Sequence, residues 1–412
     1  MRQSPIVYFL FFISGITALV YEIVWTRMLT LVFGHTVFSV SVVLAAFMAG
    51  LGLGSYLFGY AVDHLPETNG SSGQVPTALL IYGWVEILIF ASGALLSILF
   101  ANFSGIYASL HSFIPESPPL QNLIKMVFAF GLMLIPTTFM GATLPIISKY
   151  CVTHDSRIGT QVSLLYALNT LGAASGCLMT GFFLMGTFGV LQTVLLAAGT
   201  NLLIGIGALR IYLETVPGAS WKFRLPPLKT PRLSWNAEQK FWMSISFICG
   251  FTALAYEVLW TRLLVFSISS TIYSLSMMLT VFLLGIFLGS LLLIPLAKHV
   301  HNVRTVLLIL QASTGLYVIG SIYGIESILS APWNGHNLTD PASAFLRYFK
   351  DSAGLMLIPT LLLGMCFPLL IKIVSGGHEN VGKATGQIYS ANTLGAILGS
   401  LCAGFLFLPN LG

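Results

Sequence analysis

The feature that most constrains this chain is a series of long stretches almost free of charge. They fall near 5–32, 36–61, 76–100, 120–149, 157–185, 188–213, 239–268, 270–297, 303–329, 344–374 and 381–408. Each holds about 20 or more residues, enough at 1.5 Å per helical residue to cross a hydrocarbon core of ~30 Å. Only 8% of the 412 residues are Asp, Glu, Lys or Arg, against roughly 25% in soluble domains. Backbone amides in lipid must be paired within their own segment, and no alternating strand pattern suits a barrel. The expected fold class is an all-α polytopic membrane protein.

Topology follows from the basic residues. With the amino terminus inside, Arg2, Lys149, Arg157, Arg210, Lys222, Arg224, Lys229, Arg232, Lys240, Lys298, Arg304, Lys372 and Lys383 lie at cytoplasmic ends, and Arg27, Lys125, Arg262, Arg347 and Lys350 outside. Short loops rich in Lys and Arg stay in the cytoplasm, which predicts a cytoplasmic amino terminus in a plasma or inner membrane. The same placement explains the net charge of +5 without a nucleic-acid partner. The first stretch follows Arg2 and lacks a small-residue cleavage site, so it reads as a retained helix. The five cysteines have no CxxC spacing and read as packing residues. Of the histidines only His299 and His301 are closely spaced, at a helix end, so neither a metal nor a cofactor is expected, and no catalytic residue is assigned. Asn102 and Asn337 head N-x-S/T triplets on expected outer loops.

The chain is also duplicated. Residues 14 to 64 align without a gap on 249 to 299, an offset of 235, with 21 of the 51 positions identical. At an offset of 223, LIPTTFMGATLPIISK meets LIPTLLLGMCFPLLIK, and LLYALNTLGAASG meets QIYSANTLGAILG. Between the copies lies a stretch with four prolines and clustered basic residues. The expected organisation is a six-helix bundle over 1–213, a cytoplasmic linker over 214–238 and a second bundle over 239–412, related by an axis along the membrane normal. At the second offset Gly412 falls on Gly189, just before the sixth helix, so a twelfth helix is expected beyond the sequence given. Gly50 and Gly54, Gly172 and Gly176, Gly285 and Gly289, and Gly395 and Gly399 form small-xxx-small seams on helices 2, 5, 8 and 11. Pro136, Pro145, Pro359 and Pro368 should interrupt helices 4 and 10 and permit bends.

Charge inside the apolar runs is the functional signal. ALVYEIVWTR carries Glu22 and Arg27, and its copy ALAYEVLWTR carries Glu257 and Arg262. An ionised group near mid-membrane costs ~2.5–3.5 kcal/mol on insertion scales, so each needs a partner or a wet cavity. Glu22 and Arg27 are five residues apart, about 140° round the helix at ~100° per residue, so they face different neighbours. Two readings stand. In one, Glu22 and Glu257, with Tyr21 and Tyr256, bind a cation or carry a proton, and Arg27, Arg262, Trp25 and Trp260 form a gate. In the other, each carboxylate is braced by an arginine, a tyrosine or a tryptophan N–H. Glu86, in IYGWVEILIF, joins the candidate binding residues; it is expected to have no charged equivalent in the second copy, where GLYVIG occupies the region. Asn169 and Asn392, beside Tyr166 and Tyr389, are candidates for binding or for interhelical hydrogen bonds.

The opening SGITALVYEIVWTRML and its copy, TxxSxxxxLxxFxxGxxLGS, and the repeated PxxxxGxxxP and YxxNTLG blocks resemble the membrane part of fused major-facilitator/spermidine-synthase-like proteins. The resemblance covers nearly the whole chain. It implies a twelve-helix, two-bundle fold like the major facilitator superfamily, with helices 2, 5, 8 and 11 between the bundles. Gly59 and Asp63 are similar to the start of that superfamily's loop motif, whose following basic residues are absent here. In the fused family an aminopropyltransferase-like soluble domain commonly follows the membrane part, and nothing in these 412 residues supplies it. The expected activity is transport of small cationic solutes such as polyamines. The alternatives are a membrane platform for a synthase-like enzyme beyond residue 412 and a subunit of a larger membrane complex; the lipid bilayer is a partner in all three.

Overall fold

The computed structural model describes residues 5–33, 37–65, 76–102, 105, 118–216, 236–268, 272–296, 302–325 and 341–411. Outside them lie most of the expected linker, His299, His301, Asn337 and the basic residues Arg2, Lys222, Arg224, Lys229, Arg232 and Lys298. Eleven helices long and apolar enough to cross a membrane are present among the described residues. They are α1 (Pro5–Phe33), α2 (Val37–Val62), α3 (Pro76–Ala101), α4 (Pro118–Cys151), α5 (Ile158–Met179), α6 (Val190–Thr215), α7 (Ala237–Ile268), α8 (Ile272–Leu296), α9 (Val303–Tyr323), α10 (Pro341–Ser375) and α11 (Val381–Cys402). The observed limits follow the apolar runs, with α9 ending several residues earlier than the apolar pattern suggests. We call the end of the bundle where α1 begins the proximal end, and the opposite one distal.

The helices form two lobes of matching design. In the first, α2 lies on α4, α1 on α5 and α3 on α6; in the second, α8 lies on α10 and α7 on α11. The lobes meet through α2 against α11 and α5 against α8. The glycine seams sit on these four helices, yet they serve contacts inside each lobe. A Cβ on Gly54 would lie 1.7 Å from the Thr138 carbonyl oxygen, and one on Gly289 1.9 Å from that of Leu361. A Cβ on Gly172 would lie 2.1 Å from Phe12 O, and one on Gly395 1.9 Å from Phe247 O. Every one of these partners is related by the two sequence offsets. The duplication has therefore preserved backbone-on-backbone contacts atom for atom, the contacts that hold helices together where lipid supplies no hydrophobic drive.

Two further details repeat. Both α5 and α11 run at their distal ends into a π turn, Thr180–Leu184 and Ala403–Phe407. The prolines do not break their helices: α4 runs through Pro136 and Pro145, and α10 through Pro359 and Pro368. This corrects the expected interruption. Thr137 and Thr360, next in chain after the first proline of each pair, return their hydroxyls to Met133 O and Met356 O, both at 2.6 Å. Hydroxyl back-bonding of this kind bends a helix without ending it.

Candidate functional site

A cavity of about 230 Å³ lies between the lobes, and both Glu22 on α1 and Glu257 on α7 line it. Glu22 is only 6% exposed. Among the described residues no side chain donates a hydrogen bond to either carboxylate, and the two repel one another across the space. Neither forms a salt bridge with Arg27 or Arg262, and among the described residues no lysine, arginine or histidine lines the cavity. An uncompensated buried charge is unfavourable by several kcal/mol. Two such groups face one small chamber.

The rest of the lining is apolar and aromatic. Tyr166 and Tyr389 flank Phe367, with ring centroids 4.6 and 5.7 Å apart, and Phe47 and Phe282 add two more rings. Ring faces attract organic cations through their quadrupoles. Sequence reasoning missed the three phenylalanines. A signal was available for two of them, because Phe47 matches Phe282 at the offset of 235, as Tyr166 matches Tyr389 at 223. Asn169 and Asn392 also line the cavity, and Asn392 Nδ2 donates to Ser246 O at 3.2 Å.

The remaining candidates lie elsewhere. Tyr21 is fully buried in the first lobe against Trp25, ring to ring at 4.9 Å, and Trp25 Nε1 donates to Ser97 Oγ at 2.9 Å. Tyr256 stacks on Trp260, whose ring packs with Met277 and Tyr348. None of these four rings lines the cavity. Arg27 is half-buried and Arg262 exposed near the distal ends of α1 and α7. Glu86 on α3 is fully buried just behind the cavity wall; Ser14 Oγ donates to its Oε1 and Asn201 Nδ2 to its Oε2, both at 2.6 Å. The second lobe holds an uncharged counterpart. Gln311 on α9 donates to Cys249 Sγ at 3.0 Å, and Cys249 occupies the place of Ser14 in the repeat. The sequence alone does not point to Gln311, because helices 3 and 9 fall between the two stretches that align without a gap.

The proximal end of the cavity is shut by contacts between lobes. Asp63, one residue past α2, accepts from the backbone amides of Gly382 and Lys383 at 3.2 and 2.6 Å, in the first turn of α11. A carboxylate there meets unpaired amides and the positive end of the helix dipole. Lys149 Nζ lies 3.3 Å from Asp63 Oδ1 and donates to Glu379 O at 2.6 Å. Closer to the cavity, α2 and α11 touch through glycine: a Cβ on Gly386 would lie 2.4 Å from Ser55 O. Asp155 and His378, which match at the offset of 223, pair across the same seam, His378 N donating to Asp155 Oδ1 at 2.7 Å.

This is the major-facilitator fold. A bacterial homologue of the iron transporter ferroportin, in an outward-facing state with soaked iron, matches 98% of this chain and 92% of its own at a TM-score of 0.59 and 10% identity. The same homologue in an outward-facing state matches 98% of this chain and 93% of its own at 0.57 and 10%. FucP, a Major Facilitator Superfamily transporter in its outward conformation, matches 98% and 95% at 0.55 and 12%. No protein-family model and no curated protein matches the sequence.

Proposed function

We propose that this chain is a small-solute transporter of the plasma or inner membrane, with its proximal end cytoplasmic, whose lobes rock about the cavity to give alternating access. Its cargo is a small organic cation of the polyamine class. The observation that carries this reading is the pair of carboxylates, Glu22 and Glu257, turned into one chamber with no counterion among the described residues. A linear amine with two or more ammonium groups would neutralise both at once, with Tyr166, Phe367 and Tyr389 along its alkyl segments. A volume of about 230 Å³ suits a solute smaller than a drug-sized ligand. The sequence resemblance to fused major-facilitator/spermidine-synthase-like proteins supports the same cargo class. The bundle limits 1–213 and 239–412, with the linker 214–238 between, are part of the proposal.

The test is uptake of labelled putrescine and spermidine by purified protein in liposomes. Glu22→Gln and Glu257→Gln should each reduce uptake at least about tenfold, the loss of one ion pair of ~1.4 kcal/mol or more. Saturable uptake by the wild type that neither substitution affects would sink the cation reading. No uptake under any ion gradient would favour the platform for a synthase-like enzyme.

A further inference from the structure

Glu86 and Gln311 hold matching places in the two lobes, each bonded to the residue that follows the same point of the repeat: Ser14 for Glu86, Cys249 for Gln311. One interior position thus carries a carboxyl in the first lobe and a carboxamide in the second. The two groups have nearly the same shape, and the second lobe closes round the neutral one. Packing by itself does not call for an acid at residue 86. What an acid has and an amide lacks is a proton to exchange.

The neighbours of Glu86 can serve both protonation states. The Ser14 hydroxyl donates to the carboxylate and, by rotating, would accept from a protonated carboxyl. Asn201 donates through Nδ2 while its buried Oδ1 has no hydrogen-bond partner; turning the amide over puts an acceptor where the donor now stands. The Tyr82 hydroxyl, on the same helix, is buried beside Glu86 and Ser14, and the Tyr21 hydroxyl, from α1, is buried near Glu86 without a hydrogen-bond partner among the described residues. Helix α6 contributes Asn201. From α4 the titratable group on this side is Cys151, which lies by Tyr82. Glu22, eight residues on from Ser14 along α1, faces the cavity. No lysine or arginine among the described residues bonds to Glu86. Ser14 and Asn201 also line the cavity, so the two groups that hold the carboxyl are the ones that meet the solute space.

We propose that Glu86 is a proton-binding site of the first lobe, exchanging with the cavity through Ser14 and Asn201, and that its protonation couples solute movement to a proton gradient. The coupling rests on the transporter reading; the proton site does not. No bond to carbon changes: the carboxylate takes a proton from cavity water and returns it there.

Two measurements on the full chain test this. Infrared difference spectra over a pH titration follow the carboxylic C=O stretch. We expect a titrating band that Glu86→Gln removes and that persists in Glu22→Gln and Glu257→Gln. In liposomes, Glu86→Gln should keep solute exchange without a gradient and lose about tenfold of the accumulation driven by a pH gradient. A band untouched by Glu86→Gln, or gradient-driven accumulation equal to wild type, overturns the proposal. Should Glu86→Gln fail to fold, Ser14→Ala keeps the carboxyl and removes one donor; its band must then titrate at a shifted midpoint, and an unmoved one overturns the proposal as well. A wild type that moves no solute sinks the transporter reading, while the infrared titration still decides the role of Glu86.

Discussion

Glu22 and Glu257 are placed against the ordinary logic of folding, since among the described residues nothing compensates either carboxylate. Their substitution should therefore separate function from stability. Replacing Glu22 by Gln removes a buried charge and keeps the volume, so the melting temperature in detergent is expected to stay level or rise while uptake falls; a braced carboxylate would show the reverse, a loss of ~3–5 kcal/mol on breaking the pair. These two residues were legible in the sequence because apolar runs make charge conspicuous and the repeat shows it twice. Their orientation was not legible. A helix surrounded by apolar neighbours and lipid has no polar side from which to read a facing direction, and so Tyr21 and Trp25, one turn or less from Glu22, could not be told from lining residues.

At the scale of helices, the sequence revealed the elements and their pairing symmetry but not which seam meets which partner. Small residues mark where backbones approach, and both α2 and α5 have neighbours on two sides. The structure shows the Gly50 and Gly54 seam turned toward α4 and a second set, Gly59 with Gly382 and Gly386, turned toward the other lobe. This distinction has a measurable consequence. Gly54→Ala forces a Cβ into the Thr138 carbonyl and should abolish the folded peak on size exclusion, whereas Gly131→Ala, with nothing within 4 Å, should be neutral or gain roughly 0.5–1 kcal/mol of helix stability. Equal behaviour of the two variants would mean that the close approach of α2 and α4 is not needed for folding. The counterpart of Glu86 stayed hidden at this scale too: Gln311 is brought to its matching place by the packing of α9 on α10, which no ungapped alignment of the two copies reaches.

For the whole molecule, the transporter reading makes the closed proximal end one side of a balance between states. Asp63 gathers Lys149 and two α11 amides from both sides of the seam. Asp63→Ala strips all of them at once and leaves Lys149, 5% exposed, without its carboxylate. Breaking such a buried pair is unfavourable by about 3 kcal/mol, enough to shift a two-state balance roughly a hundredfold toward the form open at that end. Cys249 and Cys366 line the cavity and are natural reporters. Their labelling by a membrane-impermeant maleimide added from the proximal side should accelerate in Asp63→Ala, and an unchanged rate would show that the clamp does not hold the seam.

If the chain transports as proposed, the unbalanced pair of acids in the chamber also bears on the empty leg of the cycle. A vacant carrier would have to swing two bare negative charges through the membrane field, at up to ~2.3 kcal/mol per charge for each 100 mV. It comes back sooner with another cargo molecule aboard, or with a proton on each acid. A machine built this way swaps more readily than it leaks, and in vesicles its turnover with solute on both sides should outrun its one-way discharge.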